Sequence, residues 1–130
     1  VVPAQLPGFS DNVQVRSIIG RFLEHSRVFY FRAGADERLY LSSADWMGRN
    51  MFRRIELAWP VTDPAQRQRL IDETLTSYLH DGSDAWVMAS DGTYSRITRG
   101  RRKGGASAQQ ALAVRYSRLA APAAGKSTWT

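Results

Sequence analysis

The stretch HSRVFYFRAGADERLYLS, residues 25–42, carries the strongest fold signal in the chain. Its first part, residues 25–32, is rich in β-branched and aromatic side chains, which favour an extended strand. The small residues at 33–36 predict a tight turn, and residues 38–42 predict a returning strand. The stretch therefore predicts a β-hairpin.

On the N-terminal side, we predict an irregular lead-in over residues 1–9 and a helix over residues 13–24. Pro3, Pro7 and Gly8 oppose regular structure in the lead-in. Asp11 followed three residues later by Gln14 resembles a capping box at the start of the helix. The apolar residues recur at helical spacing and predict one buried face made of Val15, Ile18, Ile19, Phe22 and Leu23.

On the C-terminal side, residues 42–50 predict a polar loop and residues 54–59 a third strand that ends at Pro60. Asp63 and Pro64 predict the start of a helix that continues to Leu79. The side chains that we expect this helix to bury are Leu70, Ile71, Leu75, Tyr78 and Leu79.

The last third of the chain predicts a second small hairpin and a final helix. Residues 85–88 and 94–97 flank the turn signal at 90–92, and residues 107–119 predict the helix. We expect one domain over residues 1–119, of the α/β or α+β class, followed by a disordered tail over residues 120–130.

Composition restricts the kinds of site the chain can hold. The 130 residues include no cysteine, which excludes disulfides, thiolate metal sites and a cysteine nucleophile. The formal charge is +6, with 16 arginines against 2 lysines. A basic, arginine-rich protein favours anionic partners, because guanidinium groups bind phosphate oxygens in pairs.

The ends of the sequence and its hydropathy bear on location. The first residues, Val1-Val2-Pro3, lack an initiating methionine, so we expect a piece of a longer protein. No signal-peptide pattern or membrane-spanning apolar run is visible. We therefore expect a cytoplasmic location, with peripheral attachment to a membrane left open.

His25 is the residue with the strongest chemical signal. His25 and Arg27 would share one face of a strand, and a histidine beside a guanidinium can hold a phosphoryl group and exchange a proton with it. The polar side chains of the loop after the second strand can orient the imidazole or bind phosphate oxygens, and the candidates there are Ser42, Ser43, Asp45 and Asn50. Arg53 and Arg54 would stand at the entrance to the third strand. His80 is expected to be structural, at the end of its helix.

Four stretches are distinctive in combination. They are RSIIGRFLEHSRVFYF (16–31), LYLSSADWMGRN (39–50), RRIELAWPVTDP (53–64) and AWVMASDGTYSRI (85–97). In this order they resemble the C-terminal end of bacterial polyphosphate kinase, type 1. The chain departs from the family's pattern in its lead-in, at Phe52 and at residues 82–84.

The resemblance implies a phospholipase-D-like domain, with a mixed sheet flanked by helices, that pairs with a second such domain to form one site. It implies reversible transfer of the terminal phosphoryl group of ATP to inorganic polyphosphate through a phosphohistidine outside this chain. His25 would be the family's second essential histidine. Arg27 and Arg54 would bind phosphate groups of ATP or polyphosphate, together with Ser42, Ser43 and Asn50.

The resemblance also implies partners. Mg²⁺ would be held by residues outside this chain, the other kinase domains would complete the site, and the full-length protein would form a homo-oligomer. The isolated chain would then be inactive. Nucleic acid is not an expected ligand.

Two alternatives stay open at this point. One is a separate anion-binding module for polyphosphate or nucleic acid, which would use the basic residues 100–103 with Arg96 and Arg99. The other is a half-site phospholipase-D-like phosphodiesterase. That chemistry normally uses H-x-K, whereas this chain has Arg27 in place of the lysine.

Overall fold

The structure, a computed structural model, describes residues 4–97 and 107–120. These residues form two compact units. The terminal unit comprises residues 4–22, 78–97 and 107–120, and the hairpin unit comprises residues 23–77. The basic loop at 100–103 and the tail at 121–130 lie outside the described residues, so the predictions made for them stay predictions.

The hairpin unit contains the predicted hairpin. Strand β2 (Val28–Ala33) pairs antiparallel with β3 (Asp36–Ser42), in a register that sets Val28 opposite Leu41 and Ala33 opposite Asp36. Two residues connect the strands, and Gly34, the first of them, has a positive φ of 63°. A glycine at this position is what a tight two-residue turn requires. The prediction for residues 25–42 is therefore confirmed, although β2 begins three residues later than expected.

The third strand of this sheet is shorter than predicted. Strand β4 (Ala58–Pro60) pairs with β3, and helix α1 (Gly48–Arg53) begins within the residues predicted as a loop. Before Ala58, the contact with the end of β3 continues through Leu57, whose carbonyl accepts the Ser43 N–H at 3.0 Å and whose N–H donates to the Ser43 hydroxyl at 2.9 Å. Arg53 therefore ends a helix and does not stand at a strand entrance.

The long helix predicted from Asp63 is present in three successive segments. Helix α2 (Pro64–Leu70) starts at Asp63, whose carboxylate accepts the Gln66 N–H at 3.0 Å as an N-cap. A π-helical segment (Ile71–Thr76) and a short helix α3 (Ser77–Leu79) continue it. Of the five side chains predicted to be buried, Leu79 is exposed and the other four are half-buried.

The terminal unit holds a second three-stranded sheet. Strand β1 (Arg16–Ile18) pairs antiparallel with β5 (Ala85–Met88), which pairs antiparallel with β6 (Tyr94–Arg96). Helix α4 (Ala108–Ala120) follows. The predicted second hairpin and last helix are thus confirmed. The α/β class also agrees with the structure, but among the described residues the predicted single mixed sheet is wrong: there are two antiparallel sheets.

The helix predicted over residues 13–24 is wrong, because this segment contains β1 and irregular backbone. Asp11 does not cap a helix; its carboxylate accepts the Gly8 N–H at 2.8 Å. The β-branched residues of the segment suit a strand, and β5 supplies the partner that local periodicity could not reveal.

Two buried polar side chains hold α4 in the terminal unit. The Gln109 amide bonds both backbone groups of Phe22, accepting from its N–H at 2.9 Å and donating to its carbonyl at 2.8 Å. Asp81 accepts the Ala108 N–H at 2.7 Å and the N–H groups of Ser83 and Asp84. Burial alone would raise the pKa of Asp81, but these backbone donors hold it below its usual value.

No helix among residues 4–97 and 107–120 is long and apolar enough to cross a membrane.

The contact between Gly20 and Gln109 predicts a sensitive position. A Cβ on residue 20 would lie 2.3 Å from the Gln109 Oε1, which is already held by the Phe22 N–H. We expect Gly20→Ala to lower the free energy of unfolding by about 1–3 kcal/mol, because the buried amide must give up its bonds or the backbone must shift. Urea unfolding followed by circular dichroism measures this change.

Gly82→Ala is the matched control, because a Cβ there meets no atom within 4 Å. If the two variants unfold at the same urea concentration, the proposed role of the Gly20–Gln109 contact is wrong.

Candidate functional site

His25 lies in the segment that leads into β2. It is exposed, and the hydrogen bond from the Ser42 N–H to the Arg27 carbonyl, 3.0 Å, continues the β2–β3 ladder beyond the strand. Because side chains alternate along extended backbone, we expect the side chains of residues 25 and 27 on the same face of the ladder. The histidine predicted from sequence is thus accessible.

Arg27 makes an ion pair across the hairpin unit. Its Nε donates to Asp45 Oδ1 at 2.6 Å, and the two side chains are 26% and 40% exposed. Asp45 belongs to the loop that leaves β3, and in the next residue the Trp46 ring contacts the Phe29 ring with centroids 5.9 Å apart. The loop is thus attached to β2 by one charged contact and one aromatic contact.

The charge of His25 acts on the Asp45 carboxyl of this ion pair. The hydrogen bond from Arg27 holds the pKa of Asp45 below its usual value, with smaller contributions from the charges of His25 and Arg49. The hydrogen bond to Asp45 in turn raises the pKa of Arg27, and Glu56 adds to the effect. The structure therefore joins Arg27 and Asp45 directly, and the charges of His25 and Arg49 act on the same carboxyl. Arg49 and Glu56 were not among the residues predicted from the sequence.

The two predicted serine ligands are already hydrogen-bonded. The Ser42 hydroxyl donates to the Leu57 carbonyl at 3.1 Å and accepts the Ala44 N–H at 3.1 Å. The Ser43 hydroxyl donates to Glu56 Oε2 at 2.5 Å and accepts the Leu57 N–H. Both serines thus hold the segment before β4 against the end of β3, and their contact with phosphate stays a prediction.

Asn50 is unusual in its surroundings. It lies in α1 and is only 3% exposed, yet its Oδ1 finds no hydrogen-bond partner among the described residues. A buried acceptor without a partner is uncommon in folded proteins. The Oδ1 atom is an acceptor and cannot itself bind a phosphate oxygen, so the predicted phosphate contact of Asn50 would have to come from its amide nitrogen and stays a prediction.

Arg54 directly follows α1 in extended backbone, with φ −133° and ψ 155°. Its side chain is exposed and makes no hydrogen bond or ion pair with any residue that the structure describes. The predicted position at a strand entrance is wrong, because β4 begins four residues later. An exposed guanidinium of this kind is nevertheless free to bind an anion.

A metal ion does not fit the residues around His25. Within the described ranges, no group of three or more His, Cys, Asp or Glu side chains is placed to hold one. The two carboxylates nearest the site, Asp45 and Glu56, are bonded to Arg27 and to Ser43. No step that depends on Mg²⁺ is therefore assigned to these residues.

Comparison with known proteins identifies the class of this domain. Residues 1–109 match the family model described as Polyphosphate kinase C-terminal domain 2. In the crystal structure of polyphosphate kinase from Porphyromonas gingivalis, a region similar to this chain has a TM-score of 0.74 and 36% sequence identity, and the match covers 85% of this chain and 16% of that one. The predicted α/β class is that of this neighbour.

Sequence relatives agree with this class. Polyphosphate kinases of Burkholderia vietnamiensis and Paraburkholderia phytofirmans are each 53% identical to the chain, over 96 and 94 residues. These matches cover 74% and 72% of the chain but only 14% of either relative. The chain belongs to the polyphosphate kinase family and spans about 14% of the length of these relatives.

The Arg27–Asp45 pair predicts a measurable titration. Because the folded-state pKa of Asp45 is depressed, the attraction is present above the ordinary carboxyl pKa and is lost as pH falls through the lowered value. We expect Arg27→Gln to raise the pKa of Asp45, and His25→Gln to raise it by less. Carboxyl-carbon NMR titration of the side chain measures both changes.

Arg32→Gln is the control, since Arg32 pairs with Glu37 and not with Asp45. An Asp45 titration that is the same in the Arg27→Gln variant and the unaltered chain would show that the pair does not form in solution.

Proposed function

We propose that the chain acts as the C-terminal part of a polyphosphate kinase that transfers the terminal phosphoryl group of ATP reversibly to inorganic polyphosphate. The covalent acceptor would be a histidine outside this chain. Family membership supports this activity, and the exposed His25 beside the Arg27–Asp45 pair is the observation that carries the proposal. Covalent catalysis would divide the transfer into two in-line displacements.

His25 would act as a proton donor and acceptor. Its imidazole would hydrogen-bond a phosphoryl oxygen, give a proton to the bridging oxygen as that oxygen leaves, and take a proton when an oxygen attacks in the reverse direction. The ring is exposed, and its charge acts on the same Asp45 carboxyl as those of Arg27 and Arg49, a basic environment that suits an anionic substrate. The contribution of Asp45 would be to hold Arg27 in place.

The arginines would stabilise negative charge on the phosphoryl group. Arg54 is exposed and without a partner among the described residues, so its guanidinium can bind a phosphate directly. Arg27 already donates a hydrogen bond from its Nε to Asp45, so it would donate to phosphate from its terminal nitrogens. Ser42, Ser43 and Asn50 remain proposed phosphate contacts, and the two serines would have to exchange existing hydrogen bonds to make them.

Exposed apolar side chains around the site support a role within a larger protein. Phe52 is 87% exposed and Ile55 98% exposed, and others nearby are also open to solvent. These are Trp46, Met47, Met51 and Leu57. Clusters of this kind usually mark interaction surfaces. We propose that the remaining domains of the kinase cover them.

The other parts of the proposal concern the whole enzyme. ATP and polyphosphate would be the substrates, and Mg²⁺ would be bound by residues outside this chain. We further propose a cytoplasmic homo-oligomer.

The proposed role of His25 predicts a loss of turnover. In the full-length kinase that carries this domain, His25→Gln should lower turnover at least about 100-fold, because general acid–base catalysis contributes about 100- to 10,000-fold. Steady-state synthesis of polyphosphate from ATP measures this loss, and circular dichroism checks that the variant is folded.

His80→Gln serves as the matched control, since His80 follows α3 in the terminal unit. Near-normal turnover of the His25→Gln enzyme would rule out the proposed proton transfer.

The 130-residue chain alone is expected to form no phosphohistidine, because the proposed acceptor belongs to another part of the kinase. Incubation with γ-labelled ATP and polyphosphate, followed by a search for acid-labile phosphate on the protein, tests this. The full-length kinase is the positive control. Strong labelling of the isolated chain would place the acceptor on His25 or His80 and contradict the proposal.

A further inference from the structure

A groove lies at the opposite end of β3 from His25. Strand β4 pairs only with Tyr40, Leu41 and Ser42, so the first half of β3 has no strand partner on that side. The chain then turns towards α2, with one further bond from the Val61 N–H to the Leu39 carbonyl at 2.8 Å. The resulting groove has a volume of about 380 Å³ and is lined by Glu37, Arg38, Leu39, Tyr40, Pro60, Val61, Thr62 and Arg67.

Arg67 is the distinctive residue of this groove. Its side chain is half-buried, and its Nη1 donates to the Glu37 carbonyl at 3.4 Å. It makes no ion pair with any acidic residue among those described. The Glu37 carboxylate accepts from the Tyr30 hydroxyl at 2.9 Å and lies 3.7 Å from Arg32, and it makes no ion pair with Arg67. A partly desolvated guanidinium without a counter-ion favours an anionic ligand.

Arg38 supplies a second guanidinium to the groove. Its ion pair with Asp36 is long, 3.5 Å, and both side chains are about two-thirds exposed. Exposed pairs of this kind contribute little stability, so a ligand can displace the carboxylate. Arg38 and Arg67 together provide several N–H donors beside an apolar wall formed by Leu39, Pro60 and Val61.

We propose that this groove is a second anion site, which binds a di- or triphosphate group through Arg38 and Arg67. The choice of phosphate over carboxylate rests on the proposed function. Ser43, in the loop that follows β3, is five residue steps beyond Arg38, a distance of about 17 Å along extended backbone. One phosphate group therefore cannot contact both places, and the groove would bind its ligand without taking part in the transfer.

Either the end of a polyphosphate chain or a nucleotide could supply this phosphate chemistry. The test uses both probes, tripolyphosphate and ADP, added separately to the ¹⁵N-labelled 130-residue chain. Amide shifts at Leu39, Val61 and Thr62 report binding in the groove. We expect Arg67→Gln to weaken that binding about tenfold or more, since hydrogen bonds to charged groups are individually strong. Arg38→Gln, at an exposed position, should weaken it several-fold without affecting the fold.

Two control variants separate this proposal from the proposed function. Arg118→Gln, an exposed position on α4, removes the same charge outside the groove and should leave binding unchanged. His25→Gln should likewise leave groove binding unchanged even where it abolishes turnover in the full-length kinase.

The outcomes are distinct. Shifts with both probes support a site for the phosphate group itself, and shifts with ADP alone support a nucleotide that also needs the apolar wall. The proposal is overturned if neither probe shifts these amides, or if the Arg38→Gln and Arg67→Gln variants bind as tightly as the unaltered chain.

Discussion

The arrangement of the candidate site depends on the ion pair between Arg27 and Asp45. The two residues are 18 positions apart, one leading into β2 and the other leaving β3, and the hairpin brings them within 2.6 Å. Without that contact, the loop after β3 would be attached to β2 mainly by the Phe29–Trp46 ring contact. The pair is only partly exposed, so solvent screens it less than a fully exposed pair, and it holds a positive charge at Arg27, two residues from His25 in the chain.

The hairpin was predictable because its signals are local. The β-branched and aromatic residues and the glycine-containing turn all lie within 18 residues, and the observed register follows from the two-residue turn. The Asp63 cap and the second hairpin were predictable for the same reason. Strand β1 was not, because its partner β5 lies about 70 residues along the chain and an apolar period of three to four fits the same residues equally well.

In the candidate site too, some residues could be predicted from the sequence and others could not. Residue type and spacing selected His25 and Arg27 as candidates, but no sequence signal indicated that Asp45 would pair with Arg27 or that Ser43 would bond to Glu56. Those contacts lie on either side of α1, and the first residues of that helix were predicted as a loop. Arg49 and Glu56 were missed for this reason: neither belongs to a recognisable motif, and only the folded loop brings them close to Arg27 and Asp45.

Unused hydrogen-bonding capacity separates the residues that hold the fold from those that can bind a ligand. Gln109 bonds both backbone groups of Phe22, and the buried carboxylate of Asp81 accepts three backbone N–H groups, so each is fully engaged in structure. In the hairpin unit, Arg54, Arg67 and the Asn50 Oδ1 keep donors or an acceptor without protein partners among the described residues. Arg67 is half-buried, and desolvated polar groups are costly unless something binds them, whereas Arg54 is exposed to solvent. In the functions proposed above, the guanidinium groups of the hairpin unit would bind the anion, whereas the polar side chains at 81 and 109 stabilise the terminal unit.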